Sequence, residues 1–198
     1  SLPLVFGLKR LAPLLLDFAQ RHPEVSLDMD YTDRRVNLIE EGIDIAVRIT
    51  ARLEGGDVVR RLGSSRMLAI AAPDYLARHG RPRSPAELIH HECLGYTAAG
   101  LRTWQFLVDG KLESFPFRSR INANNGDILC DAAARGLGIT CQPDFIAAAY
   151  IADGRVEQIL VDFPLPELGI YAVLPSSRQV PHRVRVLMDD LAERIAAG

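Results

Sequence analysis

The amino-acid sequence predicts an α/β fold with two units in one chain. Segments with apolar residues at helical spacing alternate with short β-branched runs, which is the pattern of helices layered on a sheet with parallel strands. The alternation occurs over residues 10–49 and again after residue 73. The length of 198 residues is enough for one large domain or two small ones. We therefore expect two α/β units.

The first unit begins with a helix. Residues 10–22 carry leucine and phenylalanine at helical spacing, and Pro23 ends the pattern. Residues 25–31 alternate between apolar and polar side chains, as in a half-buried strand. Residues 36–42 predict a short helix that ends at a glycine, and residues 43–49 predict a second strand.

A hairpin is predicted next, because two strand-like runs flank Gly63–Ser65 and Pro73 ends the second run. The later predicted elements are helices at 74–80, 124–135, 143–154 and from 182 onward, and strands at 92–96, 104–108, 115–121, 138–142 and 168–174.

The charge distribution argues against nucleic-acid binding by these residues. The chain has 23 Lys and Arg against 25 Asp and Glu, a net charge of -2, and its arginines are scattered. A surface that follows phosphates normally needs clustered positive charge. The sequence also lacks an 18-residue apolar run and a secretory signal, so we expect a cytoplasmic location. Its abrupt start suggests a domain cut from a longer protein.

The three cysteines predict reduced, buried thiols. They form no C-x-x-C pair, and the histidines that precede Cys93 lack a second pair of ligands at zinc spacing. We therefore expect neither a metal nor a cofactor.

Catalytic motifs are not supported. Gly136–Gly138 suggests a dinucleotide loop, but Cys141 stands at the third glycine position and the helix precedes the strand. A glycine that ends a helix explains the pattern better. The chain has no Walker motif and no G-x-S-x-G elbow. The acidic pairs Glu40–Glu41 and Asp189–Asp190 are adjacent on predicted helices, so their carboxylates diverge.

Four segments have the character of a ligand-binding site. In open α/β sheets, ligands bind beyond the carboxyl ends of strands, where loops and helix N-termini present unpaired N–H groups. Residues 1–6, Arg48–Ala51, Asn124–Asp127 and Gln142–Pro143 all have such positions. For Asn124–Asp127, a simple helix cap is an equally good interpretation.

Five longer stretches together carry a family resemblance. They are LAPLLLDFAQRHPEVSLDM, RRVNLIEEGIDIAVRI, DVVRRLGSSRMLAIAAPDYLARHGRPRSPAELIHHECL, AAARGLGITCQPDF and PHRVRVLMDDLAERI. In this order and spacing the chain resembles the C-terminal effector-binding domain of LysR-type transcriptional regulators over essentially its whole length. The RITARL and AAPDYLARHGRP segments are most similar to the CrgA-like subgroup.

This resemblance implies a two-lobed fold like that of type 2 periplasmic binding proteins, with two crossover strands and a cleft between the lobes. Lobe I would contain residues 1–73 plus 175–198, and lobe II residues 74–174. The family's winged helix-turn-helix is missing from this chain. The implied effector-binding residues are Pro3, Leu4, Val5, Phe6, Arg48, Ile49, Thr50, Ala51, Tyr96, Thr97, Ala98, Ala99, Asn124, Asn125, Gly126, Gln142 and Pro143. Thr50 stands where the family usually has a glycine.

The resemblance implies that the domain senses a small metabolite and alters promoter binding by the intact oligomer. The alternative is a solute-binding protein of a transport system with the same fold. An enzyme on this scaffold ranks third, because fold does not fix function. DNA binding is expected only from the missing N-terminal domain.

The first helix also predicts self-association. Its apolar residues cover an arc of about 200°, where packing on one core needs about 100°. The resemblance implies an antiparallel homodimer, and a tetramer for the full-length protein, in which this helix meets the helix after Asp127 of a second subunit. The expected interface residues are Leu11, Leu15, Leu16, Phe18, Ala19, Leu129 and Ala133.

Overall fold

The computed structural model describes residues 1–51, 58–97, 103–175 and 180–196. The chain forms two compact units. Unit 1 contains Ser1–Ser64 and Leu168–Gly198, and unit 2 contains Ser65–Glu167. The chain therefore passes into unit 2 at Ser64–Ser65, the first crossing, and returns at Glu167–Leu168, the second crossing. Unit 1 is assembled from both parts of the chain that flank unit 2.

Unit 1 has a central sheet with helices. Its helices are α1 (Leu4–Phe6), α2 (Ala12–Arg21) and α6 (His182–Ala196), and its strands are β1 (Ala46–Thr50), β2 (Val58–Ser65) and β10 (Leu168–Leu174). The strand order is β1-β10-β2, and β1 runs antiparallel to β10. The first residues of the chain extend this sheet beyond β1. The N–H of Val47 donates to the carbonyl of Ser1 at 2.9 Å, and Leu2 forms a parallel bridge with Tyr31.

The first helix confirms the prediction for residues 10–22 and begins earlier. A π-helical turn at Gly7–Leu11 joins α1 to α2, so helical backbone starts at Leu4. Glycine is required in this turn, because a Cβ at Gly7 would lie only 2.8 Å from Cδ1 of Tyr31. The side chains of Leu11, Leu15 and Phe18 are buried in unit 1.

Two predictions for the next segment are wrong. Residues 25–30 form no strand, and only Tyr31 makes a bridge. Residues 36–42 form turns in place of a helix. The side-chain oxygen of Asn37 accepts hydrogen bonds from the backbone N–H groups of Ile39 and Glu40, at 3.2 and 3.4 Å. This is an N-cap arrangement, but Gly42 takes a positive φ of 67° and the N–H of Ile43 donates to the carbonyl of Leu38 at 2.8 Å, so the segment ends after a single turn.

Unit 2 contains most of the predicted elements at the expected places. Its strands are β3 (Met67–Ala71), β4 (Glu92–Tyr96), β5 (Thr103–Val108), β6 (Lys111–Pro116), β7 (Arg118–Ala123), β8 (Thr140–Pro143) and β9 (Glu157–Ile159), and its helices are α3 (Pro73–His79), a 3₁₀ helix (Pro85–His90), α4 (Gly126–Ala134) and α5 (Asp144–Ala152).

The predicted hairpin at Gly63–Ser65 is wrong. β2 joins β10 in unit 1, whereas β3 lies between β8 and β9 in unit 2. Gly63 is required for packing and not for a turn, since a Cβ there would lie 2.9 Å from Cγ2 of Ile195. The turn-like sequence marks the first crossing.

Strand direction is mixed, where the sequence predicted parallel strands. β4 and β7 are parallel, but β1–β10, β3–β8 and β3–β9 are antiparallel. β3 and β10 each follow a crossing and run against these neighbours. This pairing also explains why the units divide at Ser64–Ser65 and Glu167–Leu168, earlier than the boundaries expected after residues 73 and 174. β3 belongs to the sheet of unit 2, and β10 belongs to that of unit 1.

A buried apolar cluster forms the core of unit 2. It includes Tyr75, Leu88, Phe106 and Ile139, each 2% exposed or less. Trp104, the single tryptophan of the sequence, stacks on Phe117 with 4.2 Å between ring centroids at the edge of this cluster. Among the described helices, none is long and apolar enough to cross a membrane.

Candidate functional site

Three of the predicted effector segments meet within unit 2. They are the end of β4, the start of α4 and the end of β8. A buried chain of hydrogen bonds connects β8 to β4: Nε2 of Gln142 donates to Oγ1 of Thr140 at 2.9 Å, and Thr140 donates to the carbonyl of Leu94, two residues before Tyr96, at 3.3 Å. Oε1 of Gln142 lies against Gly126, where a Cβ would come within 2.6 Å of it.

Gln142 therefore faces the interior. It is 2% exposed, and Thr140 is fully buried. Residues 140 and 142 share one face of β8, whereas Cys141 lies on the other and joins the apolar core. Gln142 was predicted to contact the effector, but the structure gives its amide nitrogen a partner inside the protein. The side chain links β8 to the first turn of α4.

The start of α4 is capped by its own chain. Oδ1 of Asn125 accepts hydrogen bonds from the N–H groups of Asp127 and Ile128, at 3.0 and 3.3 Å. This is the N-cap arrangement that satisfies the otherwise unpaired amides of a first helical turn. Of the two interpretations open for this segment, the cap is thus present. Asn124, one residue earlier, is exposed.

The remaining predicted effector residues of unit 2 lie at the end of β4 and at the end of β8. Tyr96 is half-buried and Thr97 is exposed. Ala98 and Ala99, which were also predicted to contact the effector, lie outside the described residues. Pro143 is half-buried and directly precedes α5.

In unit 1 the segment at residues 3–6 is only partly available to a ligand. Val5 and Phe6 are buried at 7% and 4% exposure, whereas Pro3 and Leu4 are half-buried. The first amide of α1 is occupied, because Leu4 N–H donates to Oδ1 of Asp33 at 3.0 Å. The sequence gave no signal for Asp33, since its partner is 29 residues away along the chain.

The second segment of unit 1 is the end of β1. Arg48, Ile49 and Thr50 are half-buried, and Ala51 is exposed. Nη1 of Arg48 donates to the carbonyl of Val47 at 3.0 Å. Thr50 lies opposite Gly169 of β10, where the ring of Tyr171 leaves no room for a Cβ. Thr50 therefore faces a glycine across the sheet.

The thiols of unit 2 are poorly suited to act as nucleophiles. Burial raises the pKa of Cys93 to about 12 and also raises the pKa of the fully enclosed Cys141. Both thiols stay protonated at neutral pH, and the thiolate is the reactive form. Within the described part of the chain no three metal-ligating side chains cluster. The segments of unit 2 offer backbone groups, amides and hydroxyls, which suit the binding of a small molecule.

A charged crevice lies elsewhere, between α2 and α6 of unit 1. It has a volume of about 420 Å³ and is lined by Asp17, Gln20, Arg21, Asp190, Glu193 and Arg194. Four of its charged side chains are paired, because Arg21 contacts Asp190 and Arg194 contacts Asp17, each at 2.7 Å. These contacts join the two helices, and the crevice contains none of the predicted effector residues.

The predicted dimer residues are mostly interior. Leu11, Leu15, Phe18, Leu129 and Ala133 are between 0% and 4% exposed within their own units. Ala19 is half-buried and Leu16 is 56% exposed. Sequence reasoning missed two exposed neighbours on the same helical segments: Leu8 at 56% and Ile128 at 59%.

Comparison with known proteins finds one matching domain family and several similar proteins. Residues 1–196 match the LysR substrate binding domain family. CrgA from Neisseria meningitidis serogroup C (strain 8013), an HTH-type transcriptional regulator, is 36% identical over 197 residues, which are 98% of this chain and 65% of CrgA. The chain thus spans about two thirds of this relative's length.

Solved structures agree with this match. The regulatory domain of CrgA from Neisseria meningitidis has a TM-score of 0.82 and 35% identity, covering 98% of this chain and 96% of that one. The regulatory domain of AphB from Vibrio vulnificus, treated with cumene hydroperoxide, has a TM-score of 0.79 and 26% identity, covering 98% and 96%. These matches confirm the two-lobed fold class of periplasmic binding proteins.

Proposed function

This chain belongs to the LysR substrate-binding domain family, and we propose that it is the effector-sensing domain of a cytoplasmic, DNA-binding transcriptional regulator. The observation that carries the proposal is the match over residues 1–196 together with 36% identity to a helix-turn-helix regulator across almost the whole chain. The remaining third of that relative has no counterpart here. DNA binding is assigned to the corresponding part of the intact protein.

We propose that a small metabolite binds in a cleft between the lobes. The contacting groups come from Pro3–Phe6, Arg48–Ala51, Tyr96–Ala99, Asn124–Gly126 and Gln142–Pro143. The arrangement in unit 2 supports this assignment, because the Gln142 side chain is held by a buried hydrogen bond to Thr140, which in turn bonds to β4, and lies against Gly126 at the start of α4. Preorganised segments of this kind lower the cost of ordering a site around a ligand.

The proposed mechanism is a shift between conformations. A ligand can change an equilibrium only by its difference in affinity for the two states. Segments on both sides of the two crossings would contact the effector, so the state in which they close on it is favoured. The intact oligomer then presents its DNA-binding domains differently to the promoter.

The relatives favour this function over solute transport. CrgA is named as an HTH-type transcriptional regulator, and the compared structures are regulatory domains.

A mobility-shift experiment tests whether DNA binding belongs to the rest of the intact protein and not to this chain. We expect the full-length regulator to retard promoter DNA specifically and this 198-residue chain not to do so at low salt, because its charges nearly balance. Specific retardation by this chain would contradict the proposal.

We further propose that two copies of this chain associate through α2 of one and α4 of the other. The exposed Leu16 on α2 and Ile128 on α4 support this assembly. Large apolar side chains exposed on helices often mark interaction surfaces. The buried members of the predicted set, such as Leu11 and Leu129, would act by holding these helices in place.

A further inference from the structure

The first residues of unit 2 are held by one carboxylate. Oδ1 of Asp144 accepts hydrogen bonds from the hydroxyl of Ser65 at 2.7 Å and from the N–H of Phe145 at 2.8 Å. Oδ2 accepts the N–H of Arg66 at 3.3 Å. In return, the N–H of Asp144 donates to the carbonyl of Arg66 at 2.8 Å. Ser65, the last residue of β2, and Arg66, which directly precedes β3, are thereby joined to the start of α5 by three hydrogen bonds.

The hydrogen bonds to the Asp144 carboxylate are stronger than hydrogen bonds between neutral groups. Ser65 is 4% exposed, and hydrogen bonds to an ionised acceptor are shorter and roughly twice as strong as neutral ones. The guanidinium of Arg66 adds little, because it lies 3.5 Å from the carboxylate and is 73% exposed. The hydroxyl and the backbone amides therefore provide the attachment.

The same carboxylate borders a predicted effector segment. Pro143 directly precedes Asp144, and strand pairing places Met67 opposite Pro143 and Leu68 opposite Gln142. The residues that follow the first crossing are thus connected to Gln142–Pro143 both by the sheet and by Asp144.

We propose that Asp144 is a positioning residue that makes the start of β3 and the Gln142–Pro143 segment one rigid piece. Bending at the first crossing is then confined to the end of β2, on the N-terminal side of Ser65. Gly63, Ser64 and Ser65 all belong to β2, and of these Ser64 is exposed. A displacement of Gln142–Pro143 is passed directly to the crossing. The role of that segment in contacting effector rests on the proposed function, whereas the position of the bend does not.

The test compares Asp144→Asn with the unmodified chain and with Asp131→Asn. Asparagine keeps the size of the side chain but replaces one acceptor oxygen by a donor, so it cannot accept from both Ser65 and Arg66. Asp131 is a matched control, because it pairs only locally with Arg135 on α4 at 2.8 Å. Ser65→Ala provides a milder second variant if Asp144→Asn folds poorly.

Two measurements are made on each variant, and neither requires an effector. Amide exchange followed by NMR reports opening at Arg66. Spin labels at Glu40→Cys in unit 1 and Asp153→Cys in unit 2, diluted with unlabelled chain, report the spread of distances between the units. The native cysteines are buried, so the two new thiols react selectively.

We expect Asp144→Asn and Ser65→Ala to speed exchange at Arg66 by about tenfold or more, since bonds to charged groups shift local opening by such factors. Both should also broaden the distribution of distances, whereas Asp131→Asn changes neither. An unchanged distribution in folded Asp144→Asn, or equal broadening in Asp131→Asn, would overturn the inference. If the chain bound no metabolite, the proposed function would be refuted, but the role of Asp144 at the first crossing would be unaffected.

Discussion

The two units hold their candidate segments in different ways. Unit 2 uses buried side chains: Thr140 and Gln142 join β8 to β4 by hydrogen bonds, and Gln142 packs against Gly126 at the start of α4. Unit 1 uses backbone pairing between Ser1 and β1, and the exposed Asp33 at the start of α1. Disturbing a buried network affects stability and binding together, whereas disturbing exposed contacts leaves stability nearly intact. The segments of unit 2 are therefore more firmly held by side chains than those of unit 1.

The largest expected effect of a single methyl group is at Gly126 in unit 2. A Cβ there would lie 2.5 Å from Cδ1 of Ile146 and 2.6 Å from Oε1 of Gln142, and both side chains are buried. Overpacking of this kind costs about 2 kcal/mol, so Gly126→Ala should lower the free energy of unfolding by that amount. Urea unfolding measures it. The exposed Asn124→Ala should change stability by less than about 0.5 kcal/mol; an equal loss in both variants would refute the rigid description of unit 2.

Each unit contributes one exposed apolar side chain to the proposed dimer, and a charge at either should weaken it. Leu16→Glu or Ile128→Glu should raise the dissociation constant of the dimer by about tenfold or more, which corresponds to about 1.4 kcal/mol. Analytical ultracentrifugation measures this constant. Val161→Glu is the control, because Val161 is 64% exposed in unit 2 but lies outside α4. Similar association by all three variants would place the interface elsewhere.

The capping interactions of the two units offer a matched pair. Asn125→Ala removes an N-cap that serves two amides of α4 and should cost about 1 kcal/mol of stability. Asp33→Ala removes one exposed bond to the three-residue α1 and should cost less than about 0.5 kcal/mol. Thermal unfolding compares them. A greater loss for Asp33→Ala would reverse the contrast between the units.

The smallest expected effect concerns pH and belongs to unit 2. Burial, aided by the charge of His79, lowers the pKa of His91, whose Nδ1 lies 3.2 Å from the hydroxyl of Tyr75. The unfolded chain therefore binds the proton more tightly than the folded one. The stability that the fold gains from keeping His91 neutral is fully present above pH 6.5, and it is lost as the pH falls below that value. Urea unfolding at pH 7.5 and 5.5 should show less of this loss in His91→Gln than in the unmodified chain. His182→Gln, at an exposed site on α6, should keep it. Equal pH dependence in all three chains would exclude His91 as the source.

The sequence alone predicted those elements whose boundaries are local. β4 at residues 92–96 and β10 at residues 168–174 have the expected limits, since flanking turns and β-branched runs define them. The hairpin at Gly63–Ser65 failed because strand partners are chosen over long distances, and β2 and β3 belong to different sheets. The helix at residues 36–42 failed because the Asn37 cap and Gly42, which takes a positive φ of 67°, lie too close together and leave room for only one turn.

The sequence predicted which segments belong to the candidate site better than it predicted the direction and partners of their side chains. Asn125 stands before an apolar helix, so its cap could be foreseen. The inward direction of Gln142 could not, because the alternation of β8 does not show which face of a strand is covered. Asp33 was missed for a similar reason: the residue it caps is far away in the sequence.

The most direct test of the central claim couples DNA binding to ligand binding. Small molecules are first selected by their ability to change promoter retardation by the full-length regulator. Each is then added to this 198-residue chain, and its thermal unfolding is followed by the fluorescence of Trp104. Sensing by this domain predicts that every selected compound raises the melting temperature, with about 2.7 kcal/mol of added stability at 100 times its dissociation constant. A compound that alters promoter binding but leaves the melting temperature of this chain unchanged would contradict the assignment.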